Sequence, residues 1–456
     1  MMRKHLILAV LAGLGLRLFF VLRFPADAGD TPIYNELARN WAAHHVYGLF
    51  LGGFLTPVDV RAPGYPAFLA LLYVLFGSSR LAVLLAQAGL DLVTCIVTAA
   101  LAARLMPQPL RQRVAIAALW LAATCPLVAN YAAVPLAEVL AVFFTAVALL
   151  VFVDLLGRGT LPPWGCFLGG LLAGLGALVR PETPLLLVAV ALVLAARWRR
   201  PADWAKLARA TALLAAGLIA PLAPWAARNW LTLHRVQFLA RRYSEMPGEF
   251  VPRGFYAWTK TWLVRFRDVY LVPWKLEEEP IRIEDLPRAA FDSAEERERV
   301  AALLDEYNTT LSVSPEMDRA FAQIARERAA RHPLRICLWI PLDRAATLWF
   351  TPRIELLPYS GDLWPPGRQW EEDPVDFSVT VGLGLLNFLY AGLALVGTWR
   401  WRSRPGLALL VAFILVRTAF FTQVETPEPR YVLECFPALL ALAALAWAKP
   451  SATSAA

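Results

Sequence analysis

The chain has 456 residues, of which 58% are hydrophobic and 18% are charged, and its mean hydropathy is +0.50. This composition excludes an ordinary soluble protein, because a soluble protein needs a hydrated surface. The formal net charge of +8 raises the question of a nucleic-acid partner, but the basic residues lie in short connections between apolar runs and give no support for one.

Apolar runs recur along the whole sequence. A helix that crosses a bilayer needs about 20 apolar residues, so these runs predict roughly ten spans, the shorter ones tilted or capped by aromatic residues. The predicted fold class is an all-α polytopic membrane protein. Residues 26–28 have the small-x-small form of a signal-peptidase site, but the preceding run is long and contains Arg17, so we predict an uncleaved first span. The runs are residues 6–22, 81–105, 114–129, 134–155, 167–179, 185–196, 207–230, 379–396, 407–421 and 431–448.

Lysine and arginine residues alternate between the connections. Short connections rich in these residues favour the cytoplasmic side of a membrane. The alternation therefore predicts that both termini are cytoplasmic and that the two long loops are extracytoplasmic. The basic connections contain Arg3 and Lys4, then Arg104, Arg111 and Arg113, then Arg158, then Arg197, Arg199, Arg200 and Lys206, then Arg400, Arg402 and Arg404, and finally Lys449.

The cysteines form neither a disulfide framework nor a metal-binding spacing. Cys95 and Cys125 lie within apolar runs, Cys166 directly precedes the run at residues 167–179, Cys337 lies in the second long loop and Cys435 lies near the start of the last run. The chain also lacks a glycine-rich phosphate loop and a Ser/His/Asp arrangement. No cofactor or metal site is predicted, although a divalent metal remains possible.

The first long loop, residues 24–80, is amphipathic. Asp30 precedes Thr31-Pro32, a helix start with proline in the first turn, and Ile33, Leu37 and Trp41 follow at helical spacing. These residues predict an interfacial helix. A second short helix is predicted at residues 66–76, after a Pro-Gly-Tyr-Pro turn.

The second long loop, residues 231–376, is the only stretch long and polar enough for an extracytoplasmic domain, and its pattern is helical from residue 315. Residues 336–350 are apolar and contain Trp339 and Trp349, so we predict that they lie on the bilayer surface. The predicted organisation is a membrane region at residues 1–230, this α-rich domain, and C-terminal membrane helices at residues 377–456.

Charged and polar side chains from five separate segments are predicted to meet at the outer face. Each has a simple explanation alone: Asp30 as a helix cap, Arg61 and Arg228 as snorkelling cations. Together they predict a substrate site, because charges near bilayer depth are costly and usually serve function. The deeper charges Arg17, Asp91 and Arg417 are predicted to form a buried ion pair, Asp91 with one of the arginines. The outer set comprises Asp30, Tyr34, Glu36, Arg61, Glu138, Arg180, Glu182, Arg228, Asn229, Glu425, Glu428 and Arg430.

Several of these residues stand in recognisable motifs. The sequence resembles GT-C glycosyltransferases related to protein mannosyltransferases and to the aminoarabinose transferase of lipid A. The resemblance covers nearly the whole chain in order. It rests on residues 29–34 and 61–66, on Pro224-Trp225 with Arg228-Asn229, on His332-Pro333 with Leu348-Trp349-Phe350, and on Arg430-Tyr431 with Pro437.

The resemblance implies an inverting transfer of a sugar from a polyprenyl phosphate to an acceptor hydroxyl on a glycan, lipid or protein. A carboxylate of the first loop acts as the base in such enzymes, and Asp30 is the matching residue. Fixed cations stabilise the departing phosphate. The implied phosphate-binding residues are Arg61, Arg180 and Arg430, and the implied substrate-binding residues are Tyr34, Tyr65, Glu138 and Glu182.

Two departures leave the acceptor open. Protein mannosyltransferases carry an Asp-Glu pair where this chain has Asp30-Thr31, and the aminoarabinose transferases carry a lysine where this chain has Arg61. A transporter of a lipid-linked glycan is the alternative function, with charges lining a path across the bilayer. A catalytically inactive scaffold is a third possibility.

Overall fold

The computed structural model describes residues 2–158, 162–198, 204–243, 245–246, 248–404 and 406–448. Three basic residues of the charge pattern, Arg199, Arg200 and Lys449, lie outside the described residues, as does the side chain of Arg158. The chain forms two compact units. The first comprises Met1–Pro247, Pro352–Val416 and Leu433–Ala456, and the second comprises Gly248–Thr351 and Arg417–Val432.

Helices make up almost all of the regular structure. In chain order the elements are α1 (Met2–Arg23), α2 (Thr31–His44), β1 (Gly48–Leu51), β2 (Phe54–Pro57), α3 (Gly64–Phe76), α4 (Arg80–Arg104), α5 (Leu110–Ala123), α6 (Pro126–Ala129), α7 (Glu138–Arg158), α8 (Pro163–Val179), α9 (Leu185–Arg197), α10 (Trp204–Leu233), α11 (Arg253–Lys260), α12 (Phe266–Leu271), α13 (Ala294–Thr310), α14 (Pro315–Arg331), α15 (Ile340–Phe350), α16 (Pro366–Glu372), α17 (Pro374–Arg400), α18 (Leu407–Phe421) and α19 (Phe436–Ala444).

Among the described residues, six helical segments are long and apolar enough to cross a membrane, and α5 with the bent segment after it would make seven. All ten predicted apolar runs are helical. However, α8, α9 and α18 have 13 to 17 residues, and at about 1.5 Å per residue each is shorter than a hydrocarbon core of about 30 Å. The structure thus shows a multi-pass α-helical protein, with ten spans as the upper expectation. The six segments are Met2–Arg23, Arg80–Arg104, Glu138–Gly157, Trp204–Leu233, Pro374–Arg400 and Pro429–Trp447.

The first long loop folds largely as expected. Helix α2 begins at Thr31, as the Asp-Thr-Pro sequence predicts. Helix α3 begins at Gly64, two residues before the predicted start and inside the proline-containing turn. Between them lies an antiparallel hairpin that was not predicted. Gly52 and Gly53 connect its strands, and both have a positive φ, which glycine adopts at little cost.

Small residues bring α8 and α10 into close contact. A methyl group added at Gly170 would overlap the carbonyl oxygen of Leu214, and one at Gly217 would overlap that of Phe167. Helices in a membrane associate mainly through such close packing. The contact fixes the two helices whose ends carry Arg180 and Arg228.

A buried ion pair ties α1 to α4 in the first unit. Arg17 Nε donates to Asp91 Oδ2 at 2.8 Å, and both side chains are almost completely buried. The same guanidinium donates to the carbonyl oxygens of Gly13 and Ala123. The prediction that Asp91 pairs with an arginine is therefore confirmed, with Arg17 as the partner. Arg417 donates instead to the carbonyl oxygen of Tyr431.

Replacing Asp91 with asparagine should destabilise the protein by about 3 kcal/mol, because it leaves the buried Arg17 charge without a counter-ion. Thermal unfolding of the purified protein in detergent measures the loss. The double variant Arg17→Met with Asp91→Leu removes both charges and should recover most of the stability. Equal melting temperatures for Asp91→Asn and the parent would contradict the role of this pair.

The second unit has its own apolar core, formed around Phe255, Trp258 and Phe321. Asp318 Oδ1 accepts hydrogen bonds from the backbone amides of Gly254 and Phe255, which joins α14 to the start of α11. The boundaries differ from the predicted domain at residues 231–376. The unit comprises two segments, Gly248–Thr351 and Arg417–Val432. Sequence analysis assigned the second segment to the C-terminal helices.

Candidate active site

Asp30 and Arg61 form an ion pair in the first long loop. Arg61 Nη2 donates to Asp30 Oδ1 at 2.7 Å, and the two side chains are 17% and 26% exposed. Asp30 stands at the N-cap position of α2, but its side chain makes no capping hydrogen bond there. The simple explanation of Asp30 as a helix cap therefore fails. The carboxylate faces a guanidinium and stays accessible to a substrate.

The backbone before α2 is docked on the segment that leads into α7. Thr31 Oγ1 donates to the carbonyl oxygen of Pro135 at 3.2 Å and accepts from the amide of Ala28. The amide of Ala26 donates to the carbonyl oxygen of Ala133. These bonds fix the position of Asp30 relative to Glu138, which starts α7.

Arg228 binds the backbone of the hairpin segment that precedes Arg61. The Arg228 guanidinium donates to the carbonyl oxygens of Tyr47 at 2.6 Å and Val58 at 2.9 Å, and it lies 5.1 Å from the Trp225 ring. The Tyr47 hydroxyl in turn donates to the carbonyl oxygen of Arg61 at 2.8 Å. Arg228 and Trp225 thus hold the backbone that carries Arg61 through Tyr47, a supporting residue that sequence analysis missed.

A second charged cluster surrounds Arg180. Its guanidinium contacts Glu138 at 2.7 Å, Glu182 at 3.0 Å and Glu434 at 3.9 Å. Glu434 also accepts hydrogen bonds from the hydroxyls of Thr145 and Thr183. Sequence analysis missed Glu434, although a single carboxylate in the last apolar run is a signal of function. Three carboxylates thus share one guanidinium in this cluster.

Tyr34 lies within electrostatic reach of both clusters. Burial raises the pKa of the Tyr34 hydroxyl, the carboxylates of Asp30 and Glu138 raise it further, and Arg61 and Arg180 oppose them. The phenol therefore stays protonated at neutral pH and is available as a hydrogen-bond donor. The close approach of Gly64 to the end of α8 also links the clusters, because a Cβ at Gly64 would lie 2.6 Å from the carbonyl oxygen of Leu178.

Tyr65 is more deeply placed than Tyr34. The two rings pack edge to face, 5.0 Å apart. The Tyr65 hydroxyl donates to Gln87 Oε1 at 2.7 Å, and the Gln87 amide donates to the carbonyl oxygen of Val134 at 2.8 Å. Only 1% of Tyr65 is exposed. Its hydroxyl is thus used within the protein, and the ring supports Tyr34.

Three further predicted residues have local partners. Glu36 accepts a hydrogen bond from the amide of Phe50, which ties α2 to the hairpin. Arg430 belongs to the second unit, where its Nε donates to Glu428 at 2.6 Å. The buried Glu428 also accepts from the Tyr431 hydroxyl.

The segment after the second unit adds another carboxylate to the first unit. Tyr131 donates to Glu355 Oε1 at 2.6 Å, and the other Glu355 oxygen is buried. Leu356 packs against the cluster that contains Tyr34 and Tyr65. No local pattern around Glu355 indicated this position.

A metal site of three ligands is not seen within the part of the chain that the structure describes: no three histidine, cysteine, aspartate or glutamate side chains are grouped to hold an ion. The chemistry available in the described clusters is that of carboxylates, guanidinium groups and phenols. These groups can take a proton from a hydroxyl, bind an anion and orient hydroxyl groups.

Comparison with known proteins connects this geometry to a family. Residues 60–225 match the family of dolichyl-phosphate-mannose-protein mannosyltransferases. The matched range contains Arg61, Glu138 and Arg180, and Asp30 lies before it. A search of curated proteins finds no match.

Several solved structures are similar to this chain at low sequence identity. The oligosaccharyltransferase AglB of Archaeoglobus fulgidus, in complex with an inhibitory peptide and a dolichol-phosphate, is 14% identical, with a TM-score of 0.51 over 98% of this chain and 50% of that one. The structure of the same enzyme tethered to an acceptor peptide is also 14% identical, with a TM-score of 0.51 over 98% of this chain and 49% of that one. ArnT of Cupriavidus metallidurans bound to undecaprenyl phosphate is 14% identical, with a TM-score of 0.41 over 96% and 77%.

The chain spans about half the length of the archaeal enzyme. At 14% identity the similarity to the archaeal enzyme shows a common fold only, whereas the family match rests on the sequence itself. The match at residues 60–225 bears out the resemblance to the dolichyl-phosphate-mannose-protein mannosyltransferase family over that part of the chain, and the archaeal enzyme shares the fold.

Proposed function

We propose that the protein is an inverting glycosyltransferase that moves a sugar from a polyprenyl phosphate to an acceptor hydroxyl outside the cytoplasm. The observation that carries the proposal is the partly exposed ion pair of Asp30 and Arg61. It places a proton acceptor beside a fixed cation, and these are the two groups that the reaction requires. The Arg61 end of the pair lies within the family match.

In the proposed reaction, Asp30 takes the proton of the acceptor hydroxyl as its oxygen attacks the anomeric carbon. The bond from that carbon to the phosphate oxygen breaks, and the electron pair leaves with the lipid phosphate. Arg61 stabilises the charge that develops there. One displacement from the face opposite the leaving group inverts the anomeric configuration.

The ion pair also suggests how donor binding prepares the base. Arg61 Nη2 donates to Asp30, and Arg61 Nη1 donates to the carbonyl oxygen of Val60. A phosphate that binds Arg61 competes with the Asp30 carboxylate for the same guanidinium. Donor binding therefore weakens the hydrogen bond from Arg61 to Asp30, which favours transfer of the acceptor proton to Asp30.

We propose a different role for Arg180 from the phosphate contact that the resemblance implies. Its guanidinium already contacts three carboxylates, so a phosphate would have to compete with them for the same hydrogen-bond donors. Arg180 instead orients Glu138 and Glu182 toward sugar hydroxyls, for which carboxylates are good acceptors. Tyr34, between the two clusters, donates to the sugar or the phosphate, and Arg430 remains a proposed second phosphate contact.

The substrate class follows from the relatives. The matched family is described by a dolichyl-phosphate-linked mannose, and the archaeal enzyme was solved with a dolichol-phosphate. Both support a polyprenyl-phosphate donor, and the acceptor can be a glycan, a lipid or a protein. We place the site on the extracytoplasmic face of a bacterial plasma membrane, in a protein with ten spans and an extracytoplasmic second unit. The basic connections support this orientation.

Covalent transfer in detergent distinguishes this function from transport, because a micelle has no second compartment. We expect purified protein to move labelled sugar from a polyprenyl-phosphate donor into an extract of envelope glycans, lipids and proteins. Mass spectrometry of the products identifies the acceptor. Sugar movement across vesicles with no covalent product in detergent would favour the transporter.

A further inference from the structure

One helical segment of the second unit buries an arginine and exposes large apolar side chains. A π-helical turn, Arg335–Trp339, continues directly into α15. The buried face of α15 contains Ile340, Arg344 and Leu348. Arg344 is fully buried, and it donates to the backbone carbonyl oxygens of Leu263, Thr422 and Val424. Burial lowers the pKa of Arg344 to about 10, so it stays charged at neutral pH.

The opposite face of the same segment is apolar and exposed. Leu338, Trp339 and Leu342 are 46%, 59% and 52% exposed, and Leu334 before them is 70% exposed. A helix at the surface of a soluble domain turns its leucines inward and its charges outward. The buried Arg344 and the exposed leucines and tryptophan, with Asp343 exposed beside Leu342, depart from that pattern and indicate that the medium outside this face is itself apolar. Trp349 is not part of the face, because its indole donates to Thr418.

Basic residues lie at the N-terminal end of the segment. Arg328, Arg331 and Arg335 surround the carboxylates of Asp292 and Glu296. Hydrogen bonding and the charges of these arginines hold the pKa of Asp292 below its usual value against the opposing effect of burial. Three guanidinium groups against two ionised carboxylates leave this cluster with a net positive charge, which anionic lipid headgroups attract.

The second unit is also connected directly to helices that lie in the bilayer. Connections at four places lead from this unit to apolar helices: after α10, before α17, and at both ends of residues 417–432. A tethered surface meets its partner at a high effective concentration, so even a modest apolar face stays bound. A soluble protein partner would lack this advantage.

We propose that the face formed by Leu334, Leu338, Trp339 and Leu342 is inserted into the lipid bilayer, with the segment lying in the plane of the membrane. The leucines contact acyl chains, the tryptophan lies at headgroup depth and the basic cluster faces the headgroups. This membrane-docking face does not depend on the proposed glycosyltransferase activity.

A native thiol provides the probe. Cys337 is exposed within the π-helical turn, whereas Cys95, Cys125, Cys166 and Cys435 are buried. A polarity-sensitive fluorophore on Cys337 is measured with one protein copy per nanodisc, using lipids that carry a nitroxide quencher near the top or the end of the acyl chain. We expect blue-shifted emission and strongest quenching by the shallow nitroxide.

The matched control places the label elsewhere in the same unit. In Cys337→Ser with Ser312→Cys, the label lies on the polar turn between α13 and α14. Quenching at position 337 should exceed that at 312 by about threefold or more, since an in-plane helix is immersed by several ångströms. Equal quenching at the two positions would overturn the proposal. Protection of Cys337 only in nanodiscs with two copies would assign the face to a second copy instead.

A charge placed in the face tests it independently. With the label kept on Cys337, Leu338→Glu with Leu342→Glu should lower the quenching, while Thr309→Glu, on an exposed part of α13, should not. Near-ultraviolet circular dichroism checks that the aromatic core around Trp258 is retained. Unchanged quenching in a folded Leu338→Glu, Leu342→Glu variant would contradict the docking face.

Discussion

Asparagine in place of Asp30 should reduce turnover by about a hundredfold or more, which is the usual scale for loss of a general base. The amide has the size of the carboxylate and can still accept a hydrogen bond from Arg61. Helix α2 should therefore keep its start, particularly because the Asp30 side chain makes no capping hydrogen bond. Donor affinity should be unchanged or slightly higher, because the carboxylate no longer competes with the lipid phosphate for the guanidinium.

The control for Asp30→Asn is three residues away. Asp27 also pairs with an arginine, Arg80, but more than half of its side chain is exposed. Asp27→Asn should keep nearly full turnover, since exposed ion pairs contribute little. Turnover and donor affinity are measured on protein that remains monodisperse. Normal turnover in folded Asp30→Asn would exclude Asp30 as the base.

Removing the guanidinium of Arg61 should lower both donor affinity and turnover. Arg61→Ala is expected to weaken donor binding by about tenfold or more and to lower turnover by about a hundredfold, because the lipid phosphate loses its partner in both the bound and departing states. Lysine at this position should restore only part of the activity, since it keeps the charge but lacks the planar fork.

Two measurements separate a chemical role of Arg61 from a structural one. Added guanidinium ion should restore some turnover in Arg61→Ala but none in Asp30→Asn. Arg80→Ala, which breaks the exposed pair with Asp27, serves as the matched control and should bind donor normally. Donor affinity in Arg61→Ala equal to that of the parent would place the phosphate elsewhere.

Much of this architecture could be predicted because local signals specify helices strongly. The apolar runs, the Asp-Thr-Pro start of α2 and the pairing of Asp91 with an arginine agree with the structure. Asp30 and Arg61 were selected on sequence alone, and the structure places them in contact. The glycine pair of the hairpin was a local signal that sequence analysis did not use.

What could not be predicted depends on packing between distant segments. The number of carboxylates around Arg180 is set by how α7, α8 and the last apolar segment meet, and no local pattern contains that information. The partner of the Tyr65 hydroxyl could not be predicted either, because the hydroxyl donates to Gln87 of α4, which is distant in sequence. The second unit combines residues 248–351 with residues 417–432 for the same reason.

The position of Glu434 has a consequence for biosynthesis. Its carboxylate accepts hydrogen bonds from Thr145 and Thr183 and faces Arg180, residues that the ribosome makes some 250 to 290 positions earlier. Until residue 434 has entered the membrane, the hydroxyls of Thr145 and Thr183 lack this acceptor, and Arg180 has only its earlier partners Glu138 and Glu182. The cluster is therefore completed only after residue 434 is made, and a product truncated before that residue would have an unfinished centre that quality-control proteases can recognise.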